Sequence, residues 1–65
     1  MNYYNEPAVL RPKEAARYLG VGIATFWRFV RNDSTFPKTF KITAQATAIY
    51  KKDLDAWLHR RRMGA

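Results

Sequence analysis

Gly20 and Gly22 stand either side of Val21 in a 65-residue chain, and both flanking stretches carry helical periodicity. No feature constrains the fold more, because a glycine pair ends one helix and lets the next leave at an angle. On the N-terminal side, Pro12 suits the first helical position and Gly20 suits the left-handed stop, which predicts a helix over about 12–19. Ala15, Ala16 and Leu19 fall on its buried face, while Lys13, Glu14 and Arg17 stay wet. Its cap is poor, since Arg11 stands where a Ser, Thr or Asp oxygen would accept an N–H. On the C-terminal side, Phe26, Phe29 and Val30 at i, i+3, i+4 predict a second helix over about 23–32, ended by Asn32-Asp33-Ser34. Its other face holds Ala24, Thr25, Trp27, Arg28 and Arg31.

The Gly-x-Gly spacing does not make a phosphate loop. A dinucleotide fingerprint needs a strand before the turn, a third glycine and a βαβ unit around it. Here a helix precedes the turn, Thr25 replaces the third glycine, and 65 residues leave no room for a doubly wound sheet. The Gly-Lys-Ser/Thr end of a Walker loop is absent. The corner reading explains each residue: Gly20 stops one helix, Val21 points into the core, and Gly22 caps the next at only a few tenths of a kcal/mol relative to Ser or Asn. Two short helices joined by three residues with glycine form a helix-turn-helix pattern.

After Phe36-Pro37 the period changes. Phe40 and Ile42 alternate, Thr43-Ala44-Gln45-Ala46 is small and polar, and Thr47, Ile49 and Tyr50 follow, which predicts two short strands and a turn. Residues 51–62 then read as a last helix with Leu54, Trp57, Leu58 and the stem of Arg61 on one face. Asp53 and Asp55 near its start and Arg60, Arg61 and Arg62 near its end complement the helix dipole. Val9 and Leu10 suit a short extended entry, and residues 1–8 and 63–65 are expected to be flexible. The expected fold is α+β: one winged helix-turn-helix domain over 1–65, with three short helices and a two-stranded β-hairpin wing.

A chain this short buries only about 60% of the surface it exposes when unfolded. With no cysteine and a single His59 it lacks disulfide and metal staples, so its 15% aromatic content must supply the core. Twelve Lys and Arg against five acids give a net charge of +7, an imbalance that calls for a polyanionic partner. The acids form no dyad and His59 has no nucleophile or carboxylate beside it, so no catalytic residue, cofactor or metal is expected. No apolar run approaches the 18 or so residues of a membrane span, and the N-terminus shows no secretory pattern. Together with the missing cysteines, this reads as a cytoplasmic protein.

Five pieces of the sequence carry a resemblance. They are Leu10-Arg11-Pro12-Lys13-Glu14-Ala15-Ala16, Leu19-Gly20-Val21, Thr25-Phe26-Trp27-Arg28, Phe36-Pro37-Lys38 and Leu54-Asp55-Ala56-Trp57-Leu58. In order and spacing the stretch from Val9 to Arg62 resembles the AlpA family of phage regulators, within the wider group of MerR-like and excisionase winged-helix domains. The resemblance implies a nucleoid-associated protein that binds double-stranded DNA. Its role would be that of a transcription regulator of prophage genes, or of an excisionase-type recombination directionality factor that bends DNA beside an integrase. Three positions depart from the family pattern: Gly22 replaces the usual cap Ser, Ile23 and Ala24 replace basic or Ser residues, and Gln45 replaces an Arg common in the wing turn.

The expected DNA-binding residues are Lys13, Gly22, Ile23, Ala24, Thr25, Trp27, Arg28, Arg31, Lys38, Lys41, Gln45 and Thr47. Arg28 and Arg31 meet phosphates or fork onto guanine, and Thr25 bonds a base edge or touches a thymine methyl. Ile23 and Ala24 offer apolar contact at the helix start, where Gly22 permits close approach. Trp27 either lies against the sugar-phosphate backbone or covers the core. Lys38, Lys41, Gln45 and Thr47 belong to or flank the wing, and Gln45 reads a minor groove only degenerately. Lys13 anchors a phosphate beside the helix start. One module of this size discriminates weakly, so several copies are expected to self-associate cooperatively on DNA. The competing readings are a protein-interaction module that antagonises a host factor through Trp27 and the other aromatics, and a cationic membrane-active peptide. Gly20, Gly22 and Pro37 interrupt the long amphipathic helix that the latter needs.

Overall fold

The glycine corner forms as its residue types require. In the computed structural model, which describes residues 7–64, strand β1 (Val9–Leu10) leads into helix α1 (Pro12–Leu19). Gly20 then takes a left-handed conformation with φ 78°. Its N–H donates to the Arg17 carbonyl at 3.1 Å and the Val21 N–H to the Ala16 carbonyl at 2.9 Å, the paired bonds of a Schellman stop. At the other end the missing N-cap oxygen is offset from within the helix, where Glu14 Oε1 accepts the Arg11 N–H at 2.8 Å. Arg11 carries only donors and cannot return the bond. A Cβ at Gly20 would meet nothing within 4 Å, so Gly20→Ala isolates the cost of the backbone angle. We expect a loss of about 1–2 kcal/mol and a melting temperature at least roughly 4 °C lower. An unchanged melt would contradict this account of the corner.

Helix α2 (Ile23–Asn32) follows Gly22, which is extended and gives the helix no side-chain cap. Phe26 is fully buried, while Phe29 and Val30 pack on the core half-buried. At the far end Asp33 folds the chain back: its Oδ1 accepts the Thr35 N–H at 2.9 Å and the Thr35 hydroxyl at 2.6 Å, and its carbonyl accepts the Phe36 N–H at 3.0 Å. This turn drives Phe36 inward, where its ring lies 4.8 Å from Trp57, 5.7 Å from Phe26 and 5.6 Å from Phe29. Phe26, Trp27, Phe29, Phe36 and Trp57 thus collect into one cluster around the second helix.

Strands β2 (Phe40–Thr43) and β3 (Ala46–Tyr50) form the expected hairpin, with a register irregularity between Lys41 and Thr43. The sheet has three strands, however, ordered β1-β3-β2 and antiparallel throughout. The expected two-stranded wing is therefore extended by Val9 and Leu10, which pair with Tyr50 and Ile49. Burial of Leu10 beside Ile49 accounts for the added strand, and the Lys51 N–H donating to the Ala8 carbonyl at 3.0 Å prolongs the ladder. A two-residue strand leaves no periodic trace in a sequence, so only the tertiary pairing reveals it.

Helix α3 (Lys51–Gly64) runs two residues past its expected end, so Met63 and Gly64 are helical. The other end residues expected to be flexible include 1–6 and 65, which lie outside the described residues. Leu54 and Trp57 are buried as expected, but Leu58 is 39% exposed. It sits about 100° round the helix from Trp57, off the stripe that meets the aromatic cluster. Arg61 completes that stripe. Its guanidinium lies 4.9 Å from the Trp57 ring centre and 5.7 Å from that of Phe29, and its Nη1 is 3.4 Å from Asp33 Oδ2. A second tie joins α1 to α3: the Tyr18 hydroxyl donates to Asp55 Oδ1, and Lys51 Nζ stands 3.5 Å from Asp55 Oδ2 and over the Tyr18 ring.

Asp33 makes part of this fold sensitive to acid. The Thr35 hydroxyl and then the Thr35 N–H, with help from Arg61 and Trp57, hold its carboxyl below the usual carboxylate range. A depressed folded-state pKa contributes stability above the unfolded value, near 4, and that contribution is lost as pH falls through the folded pKa. Denaturant midpoints for wild type and Asp33→Asn should differ at pH 6, and the gap should narrow at pH 3. Equal gaps at both pH values would show that the carboxylate charge has no part in the turn.

Candidate nucleic-acid interface

On α2 the helical repeat separates two faces cleanly. Phe26 and Phe29 look into the core, and Ala24, Arg28 and Arg31, at i, i+4 and i+7, form one exposed stripe. Thr25 and Trp27 flank it and are partly buried. Trp27 packs against the core and meets Phe26 edge-on with ring centres 5.2 Å apart. Of the two roles open to it from sequence, covering the core is the one its packing supports. Ile23 is 41% exposed at the start of the helix, beside Gly22. Lys13 stands one turn from Arg17 on α1, and both line a shallow depression with Val21 and Ile23.

The wing puts its candidates on two sites. Lys41 and Thr47 are direct cross-strand partners and so share one face of the sheet, with Lys41 exposed and Thr47 half-buried. Gln45 is exposed in the turn, where its N–H donates to Thr43 Oγ1 at 3.2 Å. Lys38 is exposed in the loop between α2 and β2. Phe40, Ala48 and Tyr50 occupy the opposite face, the rings of Phe40 and Tyr50 stacking at 4.9 Å.

A model of the helix-turn-helix domain family matches residues 9–62. The chain belongs to that family. Its members bind double-stranded DNA and are not enzymes. Comparison with curated proteins and with solved structures returns no match.

The charge layout suits a helix-turn-helix protein. Helix α2 contains no acid; Glu14 on α1 accepts from the Arg11 N–H, and Asp33 at the C-cap of α2 is engaged with Thr35 and Arg61. Asp55 pairs with Lys51 on α3. Among the described residues Lys13, Arg28, Arg31, Lys38 and Lys41 make no ion pair or side-chain hydrogen bond. An unpaired cation on an exposed face is available to a phosphate without first giving up an internal partner. Among the described residues no group of three or more His, Cys, Asp or Glu side chains could hold a metal ion, and no helix is long and apolar enough to cross a membrane.

Two positions that sequence reasoning left out join this surface. By sequence Arg17 belongs only to a wet face, yet its spacing of four from Lys13 puts both beside Ile23. Asn32, turn chemistry by sequence, is the last residue of α2 and is exposed four residues after Arg28. A spacing of four, from Lys13 on α1 and from Arg28 on α2, is the signal available in the sequence.

Proposed function

We propose that this helix-turn-helix protein lays the Ala24, Arg28 and Arg31 stripe of α2 in the major groove and presents its wing to the adjacent minor groove. Arg28 and Arg31 meet phosphates or guanine edges, with Thr25 at the flank and Ile23 and Ala24 in apolar contact near thymine methyls. Gly22 allows the backbone to approach closely. Lys13, Lys38 and Lys41 neutralise phosphates, Gln45 and Thr47 line the wing contact, and the exposed part of Trp27 rests at the groove edge. The observation that carries this reading is the set of cations across α1, α2 and the wing that have no partner among the described residues, with no acid on α2.

The finer assignment rests on the AlpA resemblance and on weak base-reading chemistry. Apolar Ile23 and Ala24 stand where hydrogen-bonding side chains would specify sequence, and such a surface suits an architectural factor, bound in several adjacent copies near an integrase, at least as well as a transcription regulator of prophage genes. Such a protein works in the cytoplasm on the nucleoid. The reading as a host-factor antagonist loses its anchor, because Trp27 is committed to the core edge.

Mobility shifts on a random duplex at two salt concentrations test the proposal. Neutralisation of about five phosphates gives a log-log salt slope of roughly −4 to −5. No shift in dilute buffer, or a shift indifferent to salt, would remove the DNA reading. Footprinting across the DNA that flanks the gene, and gel measurements of bend, separate the architectural from the regulatory role.

A further inference from the structure

The three consecutive arginines near the end of α3 go three different ways, because successive residues on a helix are about 100° apart. Arg61 is used internally, over Trp57 and against Asp33. Arg60 and Arg62 leave on opposite flanks, both exposed. Arg60 borders a shallow groove of about 630 Å³ whose lining includes Lys38, Phe40, Tyr50 and Asp53. A second depression, reaching Arg31, shares Pro37, Lys38 and Thr39 with it. Arg31 and Lys38 thus line one depression at the C-terminal end of α2, Lys38 and Arg60 line the next against α3, and the two adjoin at the loop of residues 37–39. None of the three makes an ion pair among the described residues.

From this adjacency through Lys38 we infer that Arg60 is a further DNA contact. Duplex leaving the end of α2 passes Lys38, and its phosphate backbone reaches Arg60, so the interface wraps round the loop between α2 and β2 and on to α3. The inference rests on the DNA-binding reading above and extends its surface to an element outside the helix-turn-helix and the wing. Asp33 also lines the depression at the end of α2, but its carboxylate is taken up by Thr35 and Arg61. Asp53 has no ion pair among the described residues and lies two turns before Arg60, where its charge opposes a phosphate. The track and the acid at its end thus predict effects of opposite sign.

The test measures affinity and salt slope for a random duplex of about 30 base pairs, with the full chain and single variants whose melts match wild type. Arg60→Gln should weaken binding roughly fivefold in dilute buffer and make the slope shallower by about one. Arg62→Gln, which removes the same charge from the opposite flank, should change the slope by much less, and Asp53→Asn should tighten binding about twofold. Arg60→Gln binding like wild type would overturn the inference. Equal losses from Arg60→Gln and Arg62→Gln would overturn it too, because they would reveal a diffuse charge effect in place of a track. In either case an intact response to Arg28→Ala would leave the DNA reading standing. Loss of all duplex binding by the wild type would remove both.

Discussion

Phe36→Ala should leave a chain without a cooperative thermal transition. Phe36 is 5% exposed, and its ring contacts those of Phe26, Phe29 and Trp57 within 5.7 Å. Truncating a buried phenylalanine costs about 3–5 kcal/mol, part lost transfer energy and part cavity. A domain of this size has a total stability of roughly 3–10 kcal/mol, so the substitution removes most of the margin. The damage also spreads. Phe36 carries the turn after α2 onto Trp57 of α3, and without it Trp57 loses a ring it packs against edge-on. Circular dichroism of the variant should show a broad, non-cooperative loss of signal, whereas Phe36→Leu, which keeps most of the volume, should retain a transition. A fall of less than about 10 °C for the alanine variant would mean that the aromatic cluster is not the centre of the fold.

The largest effect on binding is expected from removing Arg28 and Arg31 together. Each exposed contact to a phosphate or base edge contributes about 1–3 kcal/mol to a nucleic-acid complex. The double Arg28→Ala, Arg31→Ala variant should therefore bind duplex roughly 30-fold or more weakly in dilute buffer, with a salt slope shallower by about two. Both side chains are exposed and have no ion pair or side-chain hydrogen bond among the described residues, so the melt should move little; Arg31 lies in the last turn of α2, where losing its charge costs a few tenths of a kcal/mol through the helix dipole. Affinity within a factor of three of wild type would show that another surface meets the DNA. A collapsed melt would show instead that the arginines support the helix.

The parts of this fold that sequence displays are those punctuated locally. Pro12 and Gly20 bound α1, and Asn32-Asp33-Ser34 bounds α2, so both helices form over the residues the pattern implies. The hairpin follows from alternation in Phe40 to Tyr50. What sequence concealed depends on contacts between distant segments. The pairing of Val9 and Leu10 with Tyr50 and Ile49 joins segments some forty residues apart. Phe36 reads as a loop residue until the Asp33 turn folds it inward. Trp27 falls outside the apolar stripe by periodicity, yet an indole is large enough to reach back over the core edge beside Phe26. Leu58 errs the other way: it fits an apolar stripe, but it lies about 100° round α3 from Trp57 and stays exposed. Within the candidate interface, Arg28 and Arg31 were legible because helical spacing alone turns them outward. The division of labour among Arg60, Arg61 and Arg62 was not, since a charge run has no direction until the helix carrying it is packed.

Amide chemical shifts recorded while a duplex is titrated into the labelled protein examine the central claim most directly. The largest changes should fall on Ala24, Thr25, Arg28 and Arg31 and on the wing from Lys41 to Thr47, with the Tyr18, Asp55 and Leu58 side of the molecule quiet. Changes concentrated on that quiet side, with α2 unaffected, would contradict the account.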